Sequence, residues 1–162
     1  MKKMKIKIPK FGLKEKSPTK LKIDEVPDAD YEVVKISEIG LADPFALEGV
    51  ALLTSDDGKV FPITAFSGEV ARNISNFIKE KRDVVPTVYN MLEQICEESE
   101  LLLVKVKLYE SGNALRANLY FTGKKDLLLR NYRASDAIAL ATFYNVPILL
   151  RKSLLKEKAL LK

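Results

Sequence analysis

The stretch Arg-Ala-Ser-Asp-Ala-Ile-Ala-Leu-Ala-Thr-Phe-Tyr-Asn-Val-Pro-Ile-Leu-Leu, residues 133–150, decides the fold of this chain. Ser135 predicts a helix N-cap, and Asp136 then lies in the first turn, where a carboxylate favours the exposed amides. Asn145 is typical of a helix C-terminus, and residues 148–150 predict a short buried strand. A small, alanine-rich helix can pack close to its neighbours, so we expect it to be the central helix of the domain.

Apolar runs separated by turn signals predict six further strands outside this stretch. The Asp57-Gly58 pair is a strong hairpin signal, and Pro62 in the following strand indicates an edge position or a bulge. Two helical patterns lie between this hairpin and a three-stranded meander. The six predicted strands are 31–36, 48–54, 60–65, 101–109, 115–121 and 126–130.

This order of elements predicts a single α+β domain. Its sheet is expected to be mixed and largely antiparallel, made of the hairpin and the meander and covered by about three helices. The 162 residues are enough for one domain with its own core. We expect a basic arm and linker at residues 1–30, the domain at 31–151 and a basic tail at 152–162.

The two helices between the hairpin and the meander each carry an apolar stripe of helical period. Ser67 is interpreted as the N-cap of the first, which has Glu69 in its first turn. The second begins near Thr87. Its predicted buried face consists of Val88, Met91, Leu92, Ile95 and Cys96. Cys96, the one cysteine of the chain, is therefore interpreted as a small core residue rather than a nucleophile.

Positive charge is concentrated at the two ends of the chain, whose net charge is +5. Residues 1–22 hold nine lysines and one glutamate (+8), residues 23–150 carry −7, and residues 151–162 carry +4. Such an arm binds DNA or RNA by counterion release, binds an acidic protein surface, or is simply a solvated end. Lys105 and Lys107 share one face of a strand, and we interpret them as solvated rather than as a phosphate track.

The absence of histidine excludes several classes of site. It removes the commonest general base and rules out a Ser-His-Asp or Cys-His centre. With one cysteine and no histidine, no zinc site is expected, and any metal would be a hard cation such as Mg²⁺ or Mn²⁺ held by oxygen atoms. The lone cysteine fits a reducing, cytoplasmic location, and no apolar run approaches the length of a membrane span.

The run Arg133-Ala134-Ser135-Asp136-Ala137-Ile138-Ala139-Leu140-Ala141, followed closely by a Pro-Ile strand, resembles the bifunctional nuclease domain family. The likeness spans residues 31–151. The family has a proline at the position of Ala134, and its second helix opens with an Arg-Pro pair followed by Thr-His-Asp. Here residues 85–90 read Val-Pro-Thr-Val-Tyr-Asn, so Thr87 is kept, whereas the histidine and the following acid are absent.

The resemblance implies a nuclease that hydrolyses DNA and RNA with little sequence preference. In this hypothesis Glu69 and Asp136 bring catalytic carboxylates to one cleft, where they would hold Mg²⁺ or Mn²⁺ and activate water. Arg133 would face a phosphate bidentately; the plain alternative is an ion pair with Asp136 that orients the helix. Tyr89 would line the same cleft. The residues predicted to bind substrate are Thr87, Asn90, Arg133 and Ser135.

Two other functions stay open on the sequence alone. One is a non-catalytic regulatory or nucleic-acid-binding module, in which the missing His-Asp pair marks lost chemistry. The other is an oligomeric scaffold whose basic arms bind an acidic partner protein. The resemblance also suggests self-association, and we expect a homo-oligomer, most simply a symmetric dimer.

Overall fold

A computed structural model describes residues 28–83 and 85–160, so the basic arm at residues 1–22 lies outside the described residues. Seven strands and three α-helices are formed by these residues. In chain order they are β1 (Tyr31–Leu41), β2 (Glu48–Ser55), β3 (Val60–Ser67), α1 (Gly68–Ile78), α2 (Val88–Glu98), β4 (Leu101–Ser111), β5 (Ala114–Gly123), β6 (Leu127–Arg133), α3 (Ala134–Tyr144) and β7 (Ile148–Arg151).

The seven strands form one sheet in the order β3-β2-β1-β7-β4-β5-β6. Every neighbouring pair is antiparallel except β4 and β7, which run parallel. The predicted α+β domain, with its mixed and largely antiparallel sheet, its hairpin and its meander, is confirmed. β3 lies at an edge of the sheet, as Pro62 indicated, because a residue without an N–H costs least where no ladder bond is needed.

The stretch 133–150 lies at the centre of the molecule. β7 joins the two halves of the sheet, since Ile148 pairs with Val34 of β1 on one side and with Val106 of β4 on the other. The buried residues of α3 are Ala134, Ala137, Ile138, Ala139, Leu140, Ala141 and Phe143. A helix that is apolar on almost every side has to be enclosed by other elements. The prediction of a central helix is therefore confirmed.

The two ends of α3 differ in how well they were predicted. Asn145 ends the helix in the left-handed conformation, with φ 55° and ψ 48°, which asparagine tolerates better than most residues. Its N–H donates to the carbonyl of Thr142 at 3.2 Å. The prediction of Ser135 as N-cap is wrong, because the N-cap is Arg133 and Ser135 lies inside the first turn. β6 runs directly into α3, so the chain becomes helical before the serine.

The buried face of α2 also differs from the prediction. The exposed set is Val88, Met91 and Ile95, and the buried or half-buried set is Tyr89, Leu92 and Cys96. Both sets recur at helical spacing, so periodicity alone fits either of them. The ring of Tyr89 decides between them, since it packs edge-on against Phe77 of α1 with the centroids 5.1 Å apart. Cys96 is a core residue, as predicted.

Lys107 is buried, which corrects the interpretation of a solvated face. Its side chain is 2% exposed, and its ammonium group lies 2.6 Å from a carboxylate oxygen of Asp28 and close to the rings of Tyr31 and Tyr120. Lys105 pairs with the same carboxylate at 3.2 Å. Burial raises the pKa of Asp28, but the hydrogen bonds from the two lysines outweigh it and hold that pKa below its ordinary value.

The first part of the predicted tail packs on the domain. Leu155 is buried, and Lys156 forms an antiparallel bridge with Val60 of β3. The N–H of each of these two bridged residues donates to the carbonyl of the other, at 2.8 and 3.0 Å. The tail therefore covers the start of an edge strand, which would otherwise present unpaired backbone groups.

Candidate active site

The first turn of α1 is fixed by its cap and by the loop between β1 and β2. The hydroxyl of Ser67 accepts a hydrogen bond from the N–H of Glu69 at 3.2 Å, which confirms the predicted cap. Gly68 packs so tightly that an added Cβ would lie 2.0 Å from the carbonyl oxygen of Ala46, so only glycine fits there. Glu69 itself is exposed. Its carboxylate is therefore held at the start of the helix and is open to solvent.

The first turn of α3 brings Arg133 and Asp136 together. Nε of Arg133 donates to Oδ2 of Asp136 at 2.7 Å, and Nη2 donates to Oδ1 at 3.1 Å. The ion pair that was the plain alternative for these residues is therefore present. Both side chains are largely open to water, so the pair contributes at most about 1 kcal/mol to stability. An incoming anion can compete with Asp136 for the guanidinium group at low cost.

A cluster of aromatic rings holds α1, α2 and α3 together. Phe77 and Phe143, in the last turns of α1 and α3, meet edge to face with their centroids 5.1 Å apart. Tyr89, in the first turn of α2, lies 5.1 Å from Phe77 and 6.2 Å from Phe143. Arg82 closes the cluster, with its guanidinium carbon 4.1 Å from the centre of the Phe143 ring. These contacts fix the position of the tyrosine ring, which is 8% exposed.

Charged residues in the first turns of α1 and α3 act electrostatically on the hydroxyl of Tyr89. Burial raises the pKa of Tyr89, and the negative charge of Asp136 raises it further. A hydrogen bond from Asn73 opposes the rise, Glu69 adds to it, and Arg133 opposes it. These groups come from the first turns of α1 and α3 and act on one hydroxyl, whereas a catalytic cleft shared by Glu69 and Asp136 stays a prediction. The phenol is neutral near pH 7 and keeps its proton available for donation.

Thr87 and Asn90 cap α2 instead of joining this cleft. Oδ1 of Asn90 accepts hydrogen bonds from the backbone N–H and the hydroxyl of Thr87, at 2.9 and 3.0 Å. Nδ2 of Asn90 donates to the carbonyl of Arg82 at 3.3 Å and to Oδ1 of Asp83 at 3.2 Å. The whole amide is engaged in holding the loop to the helix. Substrate binding by these two residues stays a prediction that their contacts do not support.

Asn73, which bonds to the hydroxyl of Tyr89, was not predicted from the sequence. It lies four residues after Glu69 on α1, and residues at that spacing share one face of a helix. This spacing is the signal that would have identified it. Ser135, by contrast, was predicted to bind substrate. Its side chain is half-buried in the first turn of α3. Its role there stays a prediction.

The cleft offers two carboxylates to a metal ion. Across residues 28–83 and 85–160, no group of three or more His, Cys, Asp or Glu lies together in a way that would hold a cation. Mg²⁺, however, is commonly bound through one or two carboxylates, several waters and the phosphates of a substrate. Metal binding by Glu69 and Asp136 in that mode stays a prediction, and it requires that Arg133 releases Asp136 when a phosphate arrives.

Comparison with known proteins identifies the family. The family model of the bifunctional nuclease domain matches residues 51–162, about two thirds of the chain, and this part contains Glu69, Tyr89, Arg133 and Asp136. No protein of curated function matches the sequence. In the described part of the chain, each helix is too short or too polar to cross a membrane. The chain belongs to the bifunctional nuclease domain family.

Proposed function

We propose that this chain is a metal-dependent phosphodiesterase that hydrolyses DNA and RNA with little sequence preference. The observation that carries the proposal is the bidentate pair of Arg133 and Asp136 in the first turn of α3, whose charges act, with that of Glu69, on the hydroxyl of Tyr89. Two acids and one guanidinium group beside a neutral phenol can bind a phosphodiester and transfer protons without histidine. The family to which the chain belongs supports this choice of reaction over others.

The cleft is suited to an anionic substrate despite its two acids. The starts of α1 and α3 each carry about half a unit of positive charge from the helix dipole. In this proposal the substrate phosphate displaces Asp136 from Arg133 and takes over the bidentate contact. Asp136 is then free to act, so substrate binding itself prepares the carboxylate. The hydroxyl of Tyr89 donates a hydrogen bond to the phosphate or to the leaving oxygen.

The two carboxylates share one task in this scheme, and Glu69 has a second. A Mg²⁺ or Mn²⁺ ion held by Glu69 and Asp136 would neutralise phosphate charge and lower the pKa of a bound water. Glu69, which is exposed at the mouth of the cleft, accepts a proton from the attacking water. Asn73 positions the hydroxyl of Tyr89 through their hydrogen bond.

In this proposal the basic arm at residues 1–22 supplies the affinity for nucleic acid. Residues 23–150 carry a net charge of −7, so the domain needs a separate device to approach a polyanion. Nine lysines in the arm can release counterions from phosphates without reading bases. This division leaves chemistry in the domain and supplies affinity that is independent of sequence.

A second candidate function is a non-catalytic nucleic-acid-binding module that acts as a homo-oligomer. The observation that favours it is that both carboxylate oxygens of Asp136 already accept hydrogen bonds from Arg133. In this alternative the ion pair only orients the helix. A second copy of the chain would cover the exposed apolar row Val88, Met91 and Ile95 on α2.

A cleavage assay separates the two candidates. Labelled DNA and RNA oligonucleotides are incubated with the protein in Mg²⁺, in Mn²⁺ and in EDTA. We expect cleavage that depends on the metal and that falls about a hundredfold or more in Glu69→Gln and Asp136→Asn. Glu98→Gln, an exposed acid at the end of α2, is the matched control and should cleave normally. Binding without cleavage in every condition would favour the non-catalytic module.

A further inference from the structure

The loop between β1 and β2 presents two large apolar side chains to water. Phe45 is 80% exposed and Leu47 is 71% exposed, and no other large apolar side chain in the described residues is more exposed than Phe45. Burying a phenylalanine contributes about 1.5–3 kcal/mol, so a partner that covers Phe45 gains that free energy.

This loop is held rigidly, mainly by one carboxylate. Asp43 accepts hydrogen bonds from three backbone N–H groups, those of Phe45 at 2.9 Å, Leu47 at 2.9 Å and Glu48 at 2.7 Å. The bond from Glu48 is the main reason that the pKa of Asp43 lies below its ordinary value. Ala46 is held at a φ of 58°, which a residue with a side chain adopts at a cost of about 1 kcal/mol or more.

The same loop forms one rim of the proposed cleft. The N–H of Gly68 donates to the carbonyl of Leu47 at 2.9 Å, and the carbonyl of Ala46 lies against Gly68. Gly68 immediately precedes Glu69, so the loop is fixed to the turn that carries the proposed catalytic acid. The backbone that carries Phe45 is thus held beside the turn that carries Glu69.

The exposed apolar area of Phe45 and Leu47 fits a small planar group better than a protein partner. Phe45 and Leu47 together offer a few hundred Å² at most, because a large aromatic side chain buries about 150–250 Å². A stable dimer needs about 800 Å² on each partner. A rigid exposed ring beside a cleft for phosphodiesters is, however, what an unpaired nucleobase stacks on.

We propose that Phe45 is a stacking platform for an unpaired nucleobase and that the preferred substrate is single-stranded nucleic acid. The inference rests on the proposed function, because it places the base beside the cleft that holds the phosphate. In a duplex both faces of each base are already stacked, so Phe45 has nothing to bind there. Single strands expose those faces, and stacking tolerates every base, in keeping with low sequence preference.

Tryptophan fluorescence tests this contact directly. The chain contains no tryptophan, so Phe45→Trp introduces a single probe at the platform. We expect a single-stranded oligothymidylate to quench its emission, whereas an abasic strand of the same length should not. Ile95→Trp, on the exposed face of α2, is the matched control and should show no quenching by either strand.

Affinity measurements test the energetic consequence. Phe45→Ala should bind a single strand about fivefold to a hundredfold more weakly, as loss of one stacking aromatic does elsewhere, and should bind duplex as the wild type does. Phe45→Tyr keeps the ring and should restore the affinity. The melting temperature should stay within a few degrees in both variants, because the side chain is exposed.

The outcomes distinguish this inference from the proposed function. If the wild type binds and cleaves oligonucleotides while Phe45→Ala behaves identically and Phe45→Trp is not quenched, the platform is refuted and the nuclease stands. If the wild type neither binds nor cleaves, both proposals fail. If Phe45→Ala instead halves the molecular mass in light scattering, the loop is an interface between copies, and the stacking proposal is overturned.

Discussion

Replacing Ile138 by alanine tests whether α3 is the central element of the core. The side chain is 2% exposed and lies among other fully buried residues of the same helix. The substitution removes three carbon atoms, at about 0.8 kcal/mol each for the lost transfer free energy. The remaining cavity adds to this, so we expect a loss of about 3–4 kcal/mol in the free energy of unfolding. For a chain of this size that corresponds to a fall of roughly 10 °C in melting temperature.

Ile78→Ala is the matched control for this measurement. It makes the same chemical change at the end of α1, at a side chain that is 48% exposed. Alanine favours a helix slightly more than isoleucine does, so that contribution largely cancels in the comparison. Urea unfolding followed by circular dichroism should shift the Ile138→Ala midpoint strongly and the Ile78→Ala midpoint by little. Equal shifts in the two variants would refute the central position of α3.

Three further predictions concern the ion pair at Lys107, the arm and association. Asp28→Asn should cost about 1–2 kcal/mol at pH 7, since Lys107 loses a charged acceptor that is itself half exposed. The pKa of Asp28 is lower in the folded than in the unfolded protein, where it is about 4, so the stabilisation is complete above about pH 4. It is lost as the pH falls through the pKa of Asp28 in the folded protein. Below that pKa the urea midpoints of the variant and the wild type should converge. Deleting residues 1–22 should weaken nucleic-acid binding and flatten its dependence on salt, and an unchanged slope would remove the arm from the account. Light scattering should give a dimer that Met91→Glu converts to a monomer, whereas a monomeric wild type would contradict self-association.

Local signals explain why much of the fold was predictable. The Asp57-Gly58 turn, the cap at Ser67 and the left-handed end at Asn145 each depend on a few neighbouring residues, and each forms as the sequence indicates. The place of β7 in the sheet depends on contacts distant in sequence. Nothing within residues 148–151 indicates that this strand lies between β1 and β4, parallel to one and antiparallel to the other.

The wrong predictions concern which side chains are buried, where the local sequence fits two choices equally well and a residue distant in sequence decides between them. α2 has two stripes of helical spacing, and the aromatic contact of Tyr89 with Phe77 selects the one that is buried. Lys107 alternates with apolar residues as an exposed lysine would, yet Asp28, far earlier in the chain, provides a carboxylate that allows its burial. A single sequence carries no signal for either pairing.

In the candidate site, too, local features were predictable from the sequence and contacts between distant residues were not. Glu69 and Asp136 were identified by their positions in the first turns of two helices, which are local properties. That the charges of both turns act on the hydroxyl of Tyr89 depends on the packing of α1, α2 and α3. Asn90 was assigned to the cleft by its position in the sequence, but its amide is used to cap α2.

The most direct test of a shared catalytic cleft is a double-mutant cycle on the cleavage rate. Glu69→Gln, Asp136→Asn and the double variant are compared with the wild type on a labelled single strand in Mn²⁺, with melting temperatures measured to confirm folding. Residues that act as one unit show losses that do not multiply. We predict that the double variant is no slower than Asp136→Asn alone. Losses that multiply, or a folded Asp136→Asn that cleaves as fast as the wild type, would contradict the shared cleft.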